Sequence, residues 1–463
     1  MTAHAQHEQY ARSKKPPLPL GRGTFAFTHR SIDAGVVRLG YRLEDGRGSR
    51  ILFQETFAFD GPVDPEVVAH PATQAALAGL HLAAGISYWK ACCPAKMLVE
   101  TGPIPEWEAE HWENTYTNGL GEFFFRNGIN PNGLVRFPSR GHGEQAESGR
   151  RGRGAFILDG GGKDTAVSMQ VAKASGKEAE ALTVGHSRWA RACAEAAGIA
   201  HVVLERRIDP QLLELNRKGA YNGHVPISMI LAHISLLAAI LRGKEAIIAS
   251  NERGASFGNL GYHGLEVNHQ WSKGLQFERM FQSWAERTIA GAPTYFSLLR
   301  PLGELGIAKS FARHPEHFDG VTSCNKNFRI SDAATERWCG TCPKCVFVYA
   351  IIRPFIDDPS RERLFGRSFF TDAGNIDMVA RLTGKYGHKP FECVGTPEET
   401  VAALSLAAAG GIESETPVMS WFESAFPDAV ERKRCTAHAL EISHEHTVPA
   451  PWQDALHAYL GAR

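Results

Sequence analysis

Residues 155–169 read AFILDGGGKDTAVSM. A short apolar run with strand character ends at Asp159. Three consecutive glycines follow, Gly160, Gly161 and Gly162, and a helical pattern opens at Lys163-Asp164-Thr165. Glycines after a strand let the main chain approach an anion closely. The N–H groups that open the next helix have no partners inside it, and the helix dipole favours negative charge there. The stretch reads as a phosphate cradle. The spacing G-x-x-x-x-G-K-[ST] is absent and the glycines are contiguous rather than set as G-x-G-x-x-G, so it is neither a Walker loop nor a dinucleotide fingerprint.

Downstream the strand-then-helix pattern repeats. EALTV, HVVLE and EAIIAS read as strands, and helical spacing separates them around 164–175, 189–197 and 225–241. Short β-rich runs alternating with helices predict parallel strands with crossovers. A doubly wound α/β domain is expected over residues 155–315. The run VPISMILAHISLLAAIL (225–241) is shorter than the ~20 apolar residues of a membrane span and is interrupted by His233 and two serines, so it predicts a buried core helix.

Upstream, residues 25–59 alternate apolar and polar positions around Asp33-Ala34-Gly35 and Glu44-Asp45-Gly46, the pattern of an antiparallel meander. Helical spacing follows at 65–88 and 105–126. Residues 25–138 are thus expected to form an α+β domain of their own, preceded by a flexible tail at 1–24. The Arg/Gly/Ser-rich stretch 139–154 is expected to be a flexible link. Residues 316–463 are expected to hold a cysteine module and a mostly helical C-terminal region.

The chain has 463 residues with 50 Lys+Arg, 50 Asp+Glu and 43% hydrophobic residues. That balance argues against a nucleic-acid binder or a disordered chain. No apolar stretch of signal-peptide length opens the sequence, which predicts a soluble, cytoplasmic protein without membrane insertion.

Four of the 9 cysteines crowd one region: Cys324, then Cys339, Cys342 and Cys345 at Cys-x-x-Cys-x-x-Cys. Four thiolates on tight turns suit tetrahedral zinc, and an iron–sulfur cluster is the rival ligand. A second constellation, ASNERGASFGN (249–259), follows a predicted strand. Loops at the carboxyl ends of strands form the ligand crevice of a doubly wound sheet, so Asn251, Glu252 and Arg253 are expected to face a nucleotide. The polar run Asn268-His269-Gln270-Trp271-Ser272-Lys273 suits acid–base work. GKYGHKPFECVGTPEE (384–399) groups His388, Lys389, Glu392 and Cys393 as a substrate-binding loop would.

The glycine stretch resembles the S-G-G-x-D-[ST] pyrophosphate loop of the ATP pyrophosphatases, with Gly160 where serine is usual. The cysteine cluster resembles that of related enzymes that make 7-deazaguanine nitriles, which implies a closed structural zinc. Most of the chain resembles the MurL epimerase family, through HLAAGISYWKACCP (81–94), NGLGEFFFRNG (118–128), GGGKDT (160–165), SNERGASFGN (250–259), VNHQWSKGLQFE (267–278), YFSLLRPLGELGIAK (295–309), SCNKNF (323–328), WCGTCPKC (338–345) and GHKPFECVGTPEE (387–399).

That resemblance implies ATP- and magnesium-dependent inversion of the terminal glutamate of UDP-MurNAc-L-Ala-L-Glu, with release of AMP and pyrophosphate. On it, Gly160, Gly161, Gly162, Lys163, Asp164, Thr165 and Asn251 bind ATP, and Asp164 also serves magnesium. His269, Glu252 and Lys273 are the candidates for moving the Cα proton. Arg253 and Arg300, with His388 and Lys389, are the candidate substrate-binding residues, because guanidinium pairs bidentately with carboxylate and phosphate. Rival readings are a nitrile-forming, amide-forming or tRNA-modifying adenylating enzyme, and a non-catalytic nucleotide-binding scaffold.

Overall fold

The computed structural model describes residues 21–45, 49–149, 152–328, 336–387 and 389–462. Its centre is one nine-stranded sheet. The strands are β1 (Gly21–Asp33), β2 (Val36–Glu44), β3 (Arg50–Ala58), β4 (Pro94–Val99), β5 (Ala155–Leu158), β6 (Ala179–Val184), β7 (His201–Arg207), β8 (Ala246–Ala249) and β9 (Thr294–Ser297), in spatial order β9-β8-β5-β6-β7-β3-β2-β1-β4. The five from β9 to β7 are mutually parallel. Counted along the chain their order is 3-2-1-4-5, which reverses between β5 and β8. A crevice opens beyond the carboxyl ends of the strands at such a reversal.

The expected meander is present, with β1–β3 antiparallel and the first turn at Ala34 and Gly35, both with positive φ. It does not end at its own edge. Thr56, Phe57 and Ala58 of β3 pair antiparallel with Arg207, Arg206 and Glu205 of β7, so residues 25–138 and 155–315 share one sheet. Phe25, Leu39 and Phe57 accordingly lie in the same apolar cluster as Phe156, Leu182 and Ile247. An open edge strand with unpaired N–H groups is a liability, and this pairing removes two.

In β5 and β8, neighbouring residues point into opposite cores. Phe156 and Ile247 enter the cluster shared with the meander, whereas Ile157 and Ile248 enter the cluster shared with the C-terminal helices. Helices therefore cover both faces of the parallel half. The helix Ile227–Arg242 lies on the first face, fully buried through its centre, as its run of apolar residues demands. Among the described residues no helix is long and apolar enough to cross a membrane.

Two expectations are modified. Most of the tail lies outside the described residues, but β1 starts at Gly21, so residues 21–24 are strand rather than tail. The Arg/Gly-rich link is tied down: Ala146 and Glu147 pair with Ile289 and Ala290, and Gln145 donates to the Glu286 carbonyl. The C-terminal region is helical as expected and ends in a helix, Ala450–Gly461. That helix lays Trp452, Leu456 and Tyr459 into the same core as Val167 and Phe296.

Candidate active site

The reversal of strand order holds a cavity of about 320 Å³. Its walls include Asp159, Gly160, Gly162, Asp164 and Thr165 after β5, Ser250 and Asn251 after β8, Lys273, and Thr322, Ser323 and Lys344 from the cysteine region. Gly162 precedes the helix Lys163–Ala174 and offers no side-chain cap, which leaves the helix's first N–H groups open to an anion. Gly161 has φ +74, and a Cβ there would meet the Ala190 nitrogen at 2.6 Å, so this position requires glycine. A Cβ on Gly160 would meet nothing within 4 Å.

Asp159, absent from the sequence-derived site, joins the loop. One carboxylate oxygen accepts the Gly161 N–H at 2.7 Å, and the other is buried without a partner among the described residues. Burial raises its pKa to about 7 against the lowering effect of that N–H. The sequence signal was its place as the last residue of the strand, directly before the glycines.

Lys163 turns away from the cavity. It is 3% exposed, donates to Asp164 at 2.5 Å and is paired with Glu304. Burial opposes its charge, but these two carboxylates outweigh the cost and hold it firmly protonated. The Thr165 hydroxyl donates back to the Leu158 carbonyl at 3.4 Å.

The expected triplet after β8 separates. Asn251 faces the cavity and donates to the Ser297 hydroxyl at 3.0 Å. Glu252 is buried, with one oxygen unpaired among the described residues. Arg253 points the other way, donating to the carbonyls of His438 and Glu441 in the C-terminal helical region. Arg300 is 1% exposed and gives its N–H groups to the carbonyls of Glu252 and Lys273, the Ser297 hydroxyl and the Glu278 carboxylate. Arg300 thus braces the site from within the fold, and Arg253 is tied to the C-terminal region through two of its five donors. Lys389 is buried beside the ring of Phe257, and burial lowers its pKa despite the nearby Glu252. His388 lies outside the described residues.

Lys273 lines the cavity, and next to it lie His269 and a residue from the 384–399 stretch. The Lys273 ammonium donates to the Cys393 sulfur at 3.5 Å. The His269 ring lies near Cys393, and its Nδ1 is paired with Glu122 from the helix Gly121–Asn127. Burial alone would lower the His269 pKa, but Cys393 and Glu122 raise it to about 9. Burial likewise disfavours a Cys393 thiolate, yet Lys273, Lys344 and His269 hold its pKa well below the usual thiol value. Glu122 reads in sequence as one acid in an aromatic helix, with nothing local to mark it.

The Sγ atoms of Cys324, Cys339, Cys342 and Cys345 lie within 4.8 Å of one another, a donor set that suits one metal ion. Backbone N–H groups of Cys342 and Cys345 donate to the sulfurs of Cys339 and Cys342 at 3.4 Å. This cluster abuts the crevice: the Thr322 N–H donates to the Gly161 carbonyl at 3.2 Å.

A glycine loop with open helix N–H groups at a strand-order reversal, in a cavity that Lys273 and Lys344 also line, is the site of an α/β fold, and the relatives of the chain make it an isomerase, an epimerase. The chain belongs to the MurL family: the profile of the MurL N-terminal domain matches residues 20–298, and that of the MurL C-terminal domain matches residues 320–437. It is similar to the UDP-N-acetyl-alpha-D-muramoyl-L-alanyl-L-glutamate epimerase of Xanthomonas oryzae pv. oryzae, 37% identical over 437 residues that cover 93% of this chain and 96% of that one. The proteins of the same name from a Micromonospora species and from Salinispora tropica are 37% and 35% identical, again over 93% of this chain and over 97% and 95% of theirs.

Proposed function

We propose that this enzyme inverts the terminal L-glutamate of UDP-MurNAc-L-Ala-L-Glu to D-glutamate in peptidoglycan precursor synthesis in the cytoplasm, consuming ATP and releasing AMP and pyrophosphate. The observation that carries the reading is the crevice lined by both the glycine loop and Lys273, with His269 and Cys393 packed next to Lys273, in a chain similar throughout to epimerases of that name.

The chemistry explains the need for ATP. The Cα proton beside a free carboxylate is very weakly acidic, because its removal sets a second negative charge next to the first. Acyl-adenylation removes that charge and lets the carbonyl accept the electron pair. In this reading the domain is of the ATP-pyrophosphatase type. Gly160–Gly162 and the N–H groups of the helix that follows hold pyrophosphate. Magnesium would be held by Asp164, with Asp159 beside it, and would neutralise phosphate charge. Lys163 keeps Asp164 and Glu304 in place. Lys273 and Lys344 supply positive charge along the wall, and His269, oriented by Glu122, moves the proton.

The four-thiol cluster takes a structural zinc. Around such an ion, with bonds of ~2.3 Å, tetrahedral sulfurs stand roughly 3.8 Å apart. Cys339 and Cys345 are at 3.7 Å. Zinc there would fix Thr322, Ser323 and Lys344 against the glycine loop.

The test is proton NMR of the purified enzyme with UDP-MurNAc-L-Ala-L-Glu, ATP and magnesium in deuterium oxide. Loss of the glutamate Cα signal together with pyrophosphate release and D-glutamate in the product is the expected result. Pyrophosphate release with the Cα proton retained would reject epimerisation and direct attention to nitrogen or sulfur acceptors.

A further inference from the structure

Cys393 differs from every other cysteine of the chain. Cys324, Cys339, Cys342 and Cys345 face one another, and Cys92, Cys93, Cys193 and Cys435 are buried. Cys393 is half-buried among cations: the Lys273 ammonium at 3.5 Å, with His269 and Lys344 nearby. Glu392 is the acid beside it. His269 is fixed in turn by Glu122, and His224, also paired with Glu122 at 3.6 Å, backs that pair. A nucleophile, an imidazole and an orienting carboxylate in series is the arrangement that activates cysteine for attack on carbonyl carbon. Lys273 links this group to the crevice that the glycine loop also lines. In the same crevice the unpaired oxygen of Asp159, which is 6% exposed, marks a place prepared for a ligand.

We propose that Cys393 is a catalytic nucleophile that takes the activated glutamyl group from AMP as a thioester, on which the Cα proton is exchanged. This rests on the adenylation reading above. The Cys393 sulfur forms a bond to the adenylated carbonyl carbon, the C–O bond to AMP breaks, and its electron pair departs with AMP. The thioester carbonyl then accepts the electron pair of the deprotonated Cα. Water cleaves the S–C bond after inversion, restoring carboxylate and thiolate with two protons passing to solvent. No oxidant or further reactant is required.

The arrangement also supplies the base at the right step. While Cys393 is a thiolate, its charge keeps His269 and Lys273 protonated. Acylation erases that charge. The buried imidazole then loses its proton to solvent and becomes able to accept the one on Cα.

The experiment uses the full chain, wild type and Cys393→Ala, with UDP-MurNAc-L-Ala-L-Glu, ATP and magnesium. Three signals are read: ATP–pyrophosphate exchange, Cα deuterium uptake, and the intact mass of acid-quenched protein before and after hydroxylamine. The expected wild-type protein carries a glutamyl-substrate adduct on Cys393 that hydroxylamine removes. The expected variant keeps ATP–pyrophosphate exchange within about threefold while Cα uptake falls by ~10³-fold or more. Cα uptake in Cys393→Ala within tenfold of wild type, or a wild type that turns over with no adduct at Cys393, would overturn the thioester. A wild type without ATP–pyrophosphate exchange would overturn the adenylation reading itself, a separate and distinguishable failure. If Cys393→Ala does not fold, the adduct mapped on wild type decides.

Discussion

One end of the crevice is made of main chain and the other of side chains. Asp159 to Thr165 contribute backbone N–H groups and a helix terminus from seven consecutive residues. Glu122, His269, Lys273 and Cys393 come from three segments up to 271 positions apart, counting from Glu122 to Cys393. What the first end offers a charge depends little on which side chains surround it, since its donors are main-chain N–H groups. The second acquires its chemistry only from neighbours: the same thiol without Lys273, Lys344 and His269 would be an ordinary half-buried cysteine.

The four-thiol cluster is the element that would break both ends together. Cys345→Ser is expected to have the largest effect, because structural metal binding at such sites is worth roughly 10–16 kcal/mol and is folding energy. Loss of the metal, measured by elemental analysis, should accompany a large drop in melting temperature and loss of pyrophosphate release. A Cys345→Ser protein with wild-type stability would mean that the cluster holds no structural ion.

Gly161→Ala attacks the main-chain end alone. The left-handed conformation costs a non-glycine residue roughly 1–2 kcal/mol, and contact with the 189–190 backbone adds to it. Nucleotide affinity, followed by calorimetry, should fall while the reactivity of Cys393 toward iodoacetamide, read by peptide mass, is unchanged. If both change, the two ends are not separable.

Asp159→Asn tests the acid that joins the loop. The folded pKa of Asp159, about 7, lies above its ordinary 3.8. Its contribution to stability is therefore full below pH ~4 and is lost as pH rises through about 7. Melting temperature should decline less between pH 5 and pH 8 in Asp159→Asn than in wild type. An identical pH dependence would show that Asp159 is ionised at no cost.

Gly160→Ser should have the smallest effect. Its Cβ position is open, so stability should stay within ~0.5 kcal/mol, the usual range for a substitution that meets nothing. The added hydroxyl should leave pyrophosphate affinity equal or modestly higher by calorimetry, and a weaker affinity would place the anion elsewhere.

The glycine loop, the strand and helix sequence from Ala155 to Ala249 and the four-cysteine spacing were legible because each is a local pattern: periodicity, turn chemistry or ligand spacing. His269 and Lys273 were legible as polar residues beside a strand end, and the structure brings them together. That Arg253 and Arg300 also hold carbonyls of their own fold was not legible, since a guanidinium suited to a substrate is equally suited to such carbonyls and only packing brings them together. Glu122 left no signal in composition or spacing, and Asp159 left only its place directly before the glycines.

The sequence by itself determined where main chain would be bare and where thiols would gather, because glycine and cysteine impose those properties on their own neighbourhoods. Only the tertiary structure decided that β3 would close onto β7, that the 450–461 helix would fill the second face, and that Cys393 would sit among cations. Each of those depends on residues distant in the chain that share no local pattern, and the energy that joins them comes from burial and from charge in a desolvated crevice, which exist only once the chain has folded.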